Sequence, residues 1–346
     1  MSEEVIRQFN SLKQRFKQLS DDVRMDVINR EVTSIETKIH NMPAEIQKIR
    51  QRGYAFRSYL EQKAEVFSKH WEALHRRITM VIEQEVGCLS QEFSEVERRF
   101  NLAERVANHP ERLAGLLDDL RDAVQELDEK TKASVNRARE VYATLKKDVD
   151  ENQRQLDEIN WFCDVKDEAT FDLLAGESLF MVAKGEWVAT GKGKDDPDGY
   201  LYLTDQRIVF EQKEKVGKKL GLFGGKQVQE VEWEIPLNQI EGVEWENKGL
   251  FGGKDMLHFT LRSGAPYDKI TVEVKGAADN KYWVKQIERM IAGETNDERA
   301  IEPDPEMVEK LRNAPTECHI CGATLPPLAG NMNQVSCEYC GSVIRI

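Results

Sequence analysis

Gly199-Tyr-Leu-Tyr-Leu-Thr-Asp-Gln-Arg-Ile-Val-Phe210 is the stretch whose reading decides the fold. Tyr200, Tyr202, Thr204, Ile208 and Phe210 are β-favouring residues with polar ones interleaved, the period-2 pattern of a half-buried strand region. Working upstream, Asp195-Asp-Pro-Asp-Gly199 is a turn by composition, and Leu179, Met181 and Ala183 alternate on another strand. Downstream, strands are predicted over 228–235, 240–245, 256–261 and 269–274, with Arg262-Ser-Gly-Ala-Pro266 as a hairpin loop. Trp283, Ile287 and Ile291 then fall four apart, so a helix is predicted to close the open end of the sheet with one face.

The order of these elements carries a resemblance. Residues 200–210, then Glu-Ile-Pro-Leu-Asn-Gln-Ile (234–240), a second Gly-Leu-Phe-Gly-Gly-Lys, a strand and a Trp-bearing helix resemble the GRAM and bacterial pleckstrin-homology-like family. That resemblance implies a strongly bent antiparallel β-barrel with a C-terminal helix over residues 171–293. The family's roles range from lipid binding to protein docking, so the fold alone does not decide function.

Gly-Leu-Phe-Gly-Gly-Lys occurs twice, at 221–226 and 249–254. Residues 212–226 carry five lysines against one glutamate, in a chain whose formal net charge is −13. Glycine-rich tips usually lie at the surface. Lys218, Lys219, Leu222, Phe223, Lys226, Leu250, Phe251 and Lys254 are therefore candidate contacts to an anionic membrane or a partner. Packing of Phe223 and Phe251 back onto the protein remains the alternative. Neither loop is a Walker phosphate site, because Leu220 and Lys248 stand where its first glycine is needed and no hydroxyl follows the lysine.

Upstream, residues 1–162 read as a helical stalk. Val5, Phe9, Leu12, Phe16, Leu19 and Val23 follow the alternating four-three spacing of a coiled-coil seam, and the pattern slips near Met25 without ending the helix. Breaks are predicted near 41–43, at Pro43, and near 108–110, at Pro110. Three long helices follow, forming an antiparallel coiled coil or bundle and, through it, a homo-oligomer. Downstream, residues 294–314 read as an acidic, proline-punctuated linker with a short helix.

Cys318-His-Ile-Cys321-Gly and Cys337-Glu-Tyr-Cys340-Gly are separated by fifteen residues. Four thiolates at this spacing satisfy one tetrahedral zinc ion with no open position, a structural site. Residues 315–346 resemble the zinc-ribbon family, with Cys318, Cys321, Cys337 and Cys340 matching all four ligand positions. The ribbon lacks a basic footprint, having Arg345 against Glu317 and Glu338, so no nucleic acid is expected and protein docking is the better reading.

Cys88 and Cys163 have no near partner, and the N-terminus lacks a signal-peptide pattern; a cytoplasmic chain is expected, peripheral to a membrane if the loops touch one. The six histidines are scattered without a nucleophile or base beside them, so no enzyme is expected. The sequence thus predicts a multidomain α + β chain: a helical stalk, a pleckstrin-homology-like barrel and a zinc ribbon. Its expected role is an oligomeric adaptor or scaffold, membrane-associated through the barrel. The alternative is a soluble assembly factor that docks proteins through ribbon and stalk.

Overall fold

The computed structural model describes residues 2–192, 195–216, 226–249, 253–276, 279–306, 309, 315, 317–323, 325, 334–337 and 339–345. The chain divides into two compact units, Met1–Glu45 with Leu60–Gln155, and Ile46–Tyr59 with Leu156–Ile346.

Five helices precede the strands: α1 (Ser2–Val23), α2 (Asp26–Gln51), α3 (Tyr59–Arg105), α4 (Pro110–Glu140) and α5 (Ala143–Asp167). In the first unit, the seam of α1 is buried at Phe9, Phe16, Leu19 and Val23. Phe16 stacks on Phe93 at 4.3 Å and Phe9 meets Phe100 at 6.0 Å. Rising numbers on α1 meet falling numbers on α3, so the two helices are antiparallel. Arg137 and Glu85 at 2.7 Å, with Lys130 and Glu92 at 3.0 Å, give the same sense to α3 and α4. The seam that predicted self-association is covered within one chain.

Five helices form rather than the three expected. The slip near Met25 is a true break: Met25 takes a left-handed φ of 54°. Such a conformation costs a non-glycine residue about 1–3 kcal/mol, and burial of the Met25 side chain offsets it. Pro43, expected to end a helix, lies inside α2. The lost hydrogen bond is tolerated where Ile39, Met42, Ile46 and Ile49 all bury. α2 stops instead after Gln51, where Gly53 has φ 85° and Arg57 φ 58°.

Residues 52–58, expected to be helical, are knitted into the second unit. Arg50 donates to the carbonyls of Tyr54, Phe56 and Arg57 at 2.8, 2.6 and 3.1 Å, fixing the turn. Tyr54 donates its hydroxyl to the Phe180 carbonyl at 3.1 Å, and Phe56 meets Phe180 edge-on at 5.0 Å. The backbone nitrogens of Ser58 and Ala300 bond Glu298 and Ala55 in return. Residues 294–301 are thus bound rather than a free tether, with Thr295 buried and Arg299 reaching Asp205 at 2.7 Å and the Phe56 ring at 4.7 Å. Most of the short helix expected after Pro305 lies outside the described residues.

Seven strands follow: β1 (Leu179–Trp187), β2 (Asp198–Thr204), β3 (Arg207–Val216), β4 (Lys226–Pro236), β5 (Ile240–Lys248), β6 (Lys254–Leu261) and β7 (Lys269–Lys275). They form one antiparallel sheet in the order β4-β3-β2-β1-β7-β6-β5. β1 is the corner, pairing β2 along its length but β7 only from Lys184 to Trp187. At that corner the strands crowd. A Cβ on Gly199 would stand 1.9 Å from the Glu211 carbonyl oxygen, and one on Gly185 would stand 3.1 Å from that of Glu273. Phe180 and Val182 are buried as well as Leu179, Met181 and Ala183, because β1 is covered on both faces.

The 204–207 turn ties the sheet to the chain before it. The Thr204 hydroxyl accepts from the amides of Gln206 and Arg207. Arg207 grips Glu177 with two bonds of 3.0 Å, and Asp205 accepts from the Ser178 amide at 2.8 Å. Buried charges of this kind persist only when paired and hydrogen-bonded. α6 (Asn280–Ile291) closes the sheet with Trp283, Ile287 and Met290. Ile291 is 43% exposed, so the covering face runs four-three rather than four-four. Two short strands, β8 (Gln334–Ser336) and β9 (Val343–Arg345), form a separate ribbon.

Candidate metal centre

Each Cys-x-x-Cys pair folds as the same turn. In the first, the Gly322 amide donates to the Cys318 carbonyl at 2.7 Å and the Cys318 amide donates to the Ala323 carbonyl at 2.8 Å. In the second, Gly341 donates to Cys337 at 2.8 Å and Cys337 to Ser342 at 2.9 Å. Gly322 and Gly341 take φ of 74° and 70°, the left-handed region that such a knuckle requires and glycine enters without strain. The pairing Val335–Ile344 of β8 and β9 closes a hairpin around the second knuckle, and Cys318 and Cys337 share one small core.

The result is a cluster of four sulfurs, all within 4.8 Å of one another, with Cys318–Cys340 at 3.6 Å and Cys321–Cys337 at 3.5 Å. Disulfide sulfurs lie about 2.05 Å apart, so these are free thiols. Four sulfurs held about 2.3 Å from a tetrahedral ion stand roughly 3.8 Å apart. The cluster fits a metal ion such as zinc, and Cys318, Cys321, Cys337 and Cys340 are the residues that would hold it.

Ser342 was not singled out by spacing, yet its hydroxyl lies 3.2 Å from Cys318 Sγ and 2.9 Å from Cys340 Sγ. It holds the Cys318 thiol down at about 6 and lowers that of Cys340. Cys321, although its Ala323 amide contact works the other way, is pushed up to about 12 by the sulfurs of Cys337 and Cys340. Thiols this crowded need a cation before all four can ionise together. Superposing the two knuckles in sequence would have exposed Ser342, since Ala323 is its counterpart.

Among the described residues the ribbon's own core is small: Leu325, Val335 and Ile344 pack on Cys318 and Cys337, with Ala323 beside them. Outside it, Ile320 is 64%, Tyr339 82% and Val343 54% exposed. Ile320 and Tyr339 occupy the same position of the two knuckles, one residue before the second cysteine.

The lysine-flanked loops give less. Lys218, Lys219, Leu222, Phe223, Leu250 and Phe251 lie outside the described residues. Lys226 opens β4, where its backbone pairs with Val216, and its side chain is likewise outside them. Lys254 opens β6 and is ion-paired with Glu273, which raises its pKa.

Comparison with known proteins adds fold likeness alone. No family model matches the chain, and no curated protein matches it. Among solved structures, the Vps36 N-terminal PH domain is similar at 16% identity, covering 37% of this chain and 92% of that one, with a TM-score of 0.26. A pleckstrin homology domain from Shewanella amazonensis is similar at 21% identity, covering 34% and 86%, with a TM-score of 0.22. The DH/PH domains of PDZ-RhoGEF, solved with activated RhoA, are similar at 12% identity over 83% and 94%, with a TM-score of 0.28. The β unit is pleckstrin-homology-like: seven antiparallel strands with a C-terminal closing helix. No helix among the described residues is long and apolar enough to cross a membrane.

Proposed function

We propose that the chain is a non-enzymatic cytoplasmic adaptor whose zinc ribbon docks a protein partner. The observation that carries this reading is the exposure of Ile320, Tyr339 and Val343 on a body that, among the described residues, buries three aliphatic side chains of its own. A metal-fixed turn presents an apolar side chain without the entropy cost of ordering it on contact, which favours a defined partner surface. Aromatic residues such as Tyr339 are the usual anchors of such surfaces. Residues 171–293 belong, on the strand and turn residues quoted above, to the GRAM branch of the pleckstrin-homology-like fold and serve as the platform. Self-association is not part of the reading, because the α1 seam is already buried within the chain.

The test is affinity capture with the full chain against the double variant Ile320→Asp/Tyr339→Asp, at equal zinc content. A protein captured by the wild type, lost at least tenfold by the variant and rebinding the wild type when purified supports docking. Identical capture by both chains defeats it.

A second reading rests on the local charge: five lysines against one glutamate over 212–226 in a chain of net −13. Those lysines, with Phe223 and Phe251, would bind an anionic bilayer. Salt-sensitive flotation with anionic vesicles, lost in Phe223→Ala/Phe251→Ala, is its expected result. Absence of flotation at low salt removes it.

A further inference from the structure

A cavity of 580 Å³ opens in the second unit beside the corner strand β1. Its volume lies in the range of ordinary ligand sites. Trp161 and Phe162 of α5, Met181 and Ala183 of β1, and Tyr282 and Trp283 of α6 give it apolar walls. Two features make it more than a gap between elements.

The first is the strand edge. β1 pairs with β7 only from Lys184 onward, so along Met181–Ala183, where the cavity lies, its β7-side edge has no ladder partner among the described residues.

The second is the charge inventory. Four ionisable side chains line the cavity besides Tyr282. Glu158 is bound to Arg57 at 3.1 Å. Asp279 accepts from the amides of Lys281 and Tyr282 and caps α6. Lys275 is held by Glu186 at 2.7 Å and Asp198 at 2.5 Å. Lys184 alone has no ion pair among the described residues, and it stands exposed at the end of the unpaired edge. A single unspent ammonium beside an aromatic-walled recess matches one anionic head on an apolar body.

We propose that this cavity binds a monoanionic amphiphile, a single apolar chain ending in a carboxylate, with the carboxylate on Lys184 and the chain between Trp161 and Trp283. The site is independent of the metal centre and of the lysine-flanked loops. The carboxylate could come from a free acid or from a lipid surface, and the assay separates the two.

The experiment is equilibrium dialysis of the full chain with labelled decanoate below its micellar concentration, without vesicles. The expected result is saturable binding of one molecule per chain, at least tenfold weaker for decanol and at least tenfold weaker in Lys184→Met. Lys184→Arg, which keeps the charge, should stay within about threefold of the wild type. Lys184 is exposed, so neither change threatens folding. Binding seen only when anionic vesicles are added, equal binding of acid and alcohol, no loss in Lys184→Met, or no saturable binding would each overturn the assignment. None of these outcomes bears on capture through Ile320 and Tyr339, so the two readings fail separately.

Discussion

The sheet of the second unit and the ribbon both join short antiparallel strands, and different physics holds each. The sheet encloses Tyr202, Phe180, Phe210 and Trp283 at 2% exposure or less, and buried charges such as Arg207 and Glu177 lock onto each other. Apolar burial at roughly 25 cal/mol per Å² stabilises such a core without help. Among its described residues the ribbon encloses Leu325, Val335 and Ile344. Three aliphatic side chains, at about 1.5–3 kcal/mol each, cannot offset the ordering of residues 315–346, which costs about 1–2 kcal/mol per residue for the backbone alone. Ile320, Tyr339 and Val343 face water instead. A region held by coordination, as the four-sulfur cluster would allow, is free to place its hydrophobic side chains outside, and the docking role proposed above needs that freedom.

The sharpest way to break this comparison is to remove the metal. Structural zinc sites contribute on the order of 10–16 kcal/mol of apparent binding free energy at neutral pH. A strong chelator should abolish amide protection at Val335 and Ile344 while leaving that of β1–β7 unchanged, as read by hydrogen exchange. Persistent protection in the ribbon after metal removal would mean that its apolar residues suffice.

The converse perturbation strikes the sheet and spares the ribbon. Gly199→Ala places a Cβ against the Glu211 carbonyl, 1.9 Å away before relaxation. Backbone must move, at a cost of about 3 kcal/mol or more. The unfolding midpoint of the sheet should fall by several degrees with zinc affinity untouched. An unchanged midpoint would show that the corner is loose.

These two sites also mark what the sequence made legible. The cysteine spacing was readable because coordination demands a fixed ligand set, and sulfur has few other uses in such pairs. The strands were readable from alternation at Tyr200–Phe210, since one face of each contacts a core. Contacts set by distant segments were not. Gly53 and Phe56 sit at helical spacing, so nothing local showed that Phe180 and Ala300, far along the chain, would claim that turn. Pro43 misled for the opposite reason: its local penalty is real, but α2 is buried on both sides of it. Lys184 was invisible because its meaning lies in which other lysines are already paired.

The smallest expected effect tests the comparison within the ribbon itself. The two knuckles share one backbone pattern, and the first carries Ala323 where the second carries Ser342. Coordination alone would make that difference irrelevant. Yet the Ser342 hydroxyl approaches two of the four sulfurs, and outer groups that orient metal ligands typically change affinity by about 10–100-fold. Ser342→Ala should therefore weaken zinc about tenfold in competition with a chromophoric chelator, leave the ribbon folded at saturating metal, and leave the sheet unaffected. An affinity equal to the wild type would mean that the hydroxyl merely fills space, and that the first knuckle, which manages with a methyl group, describes all the chemistry the site requires.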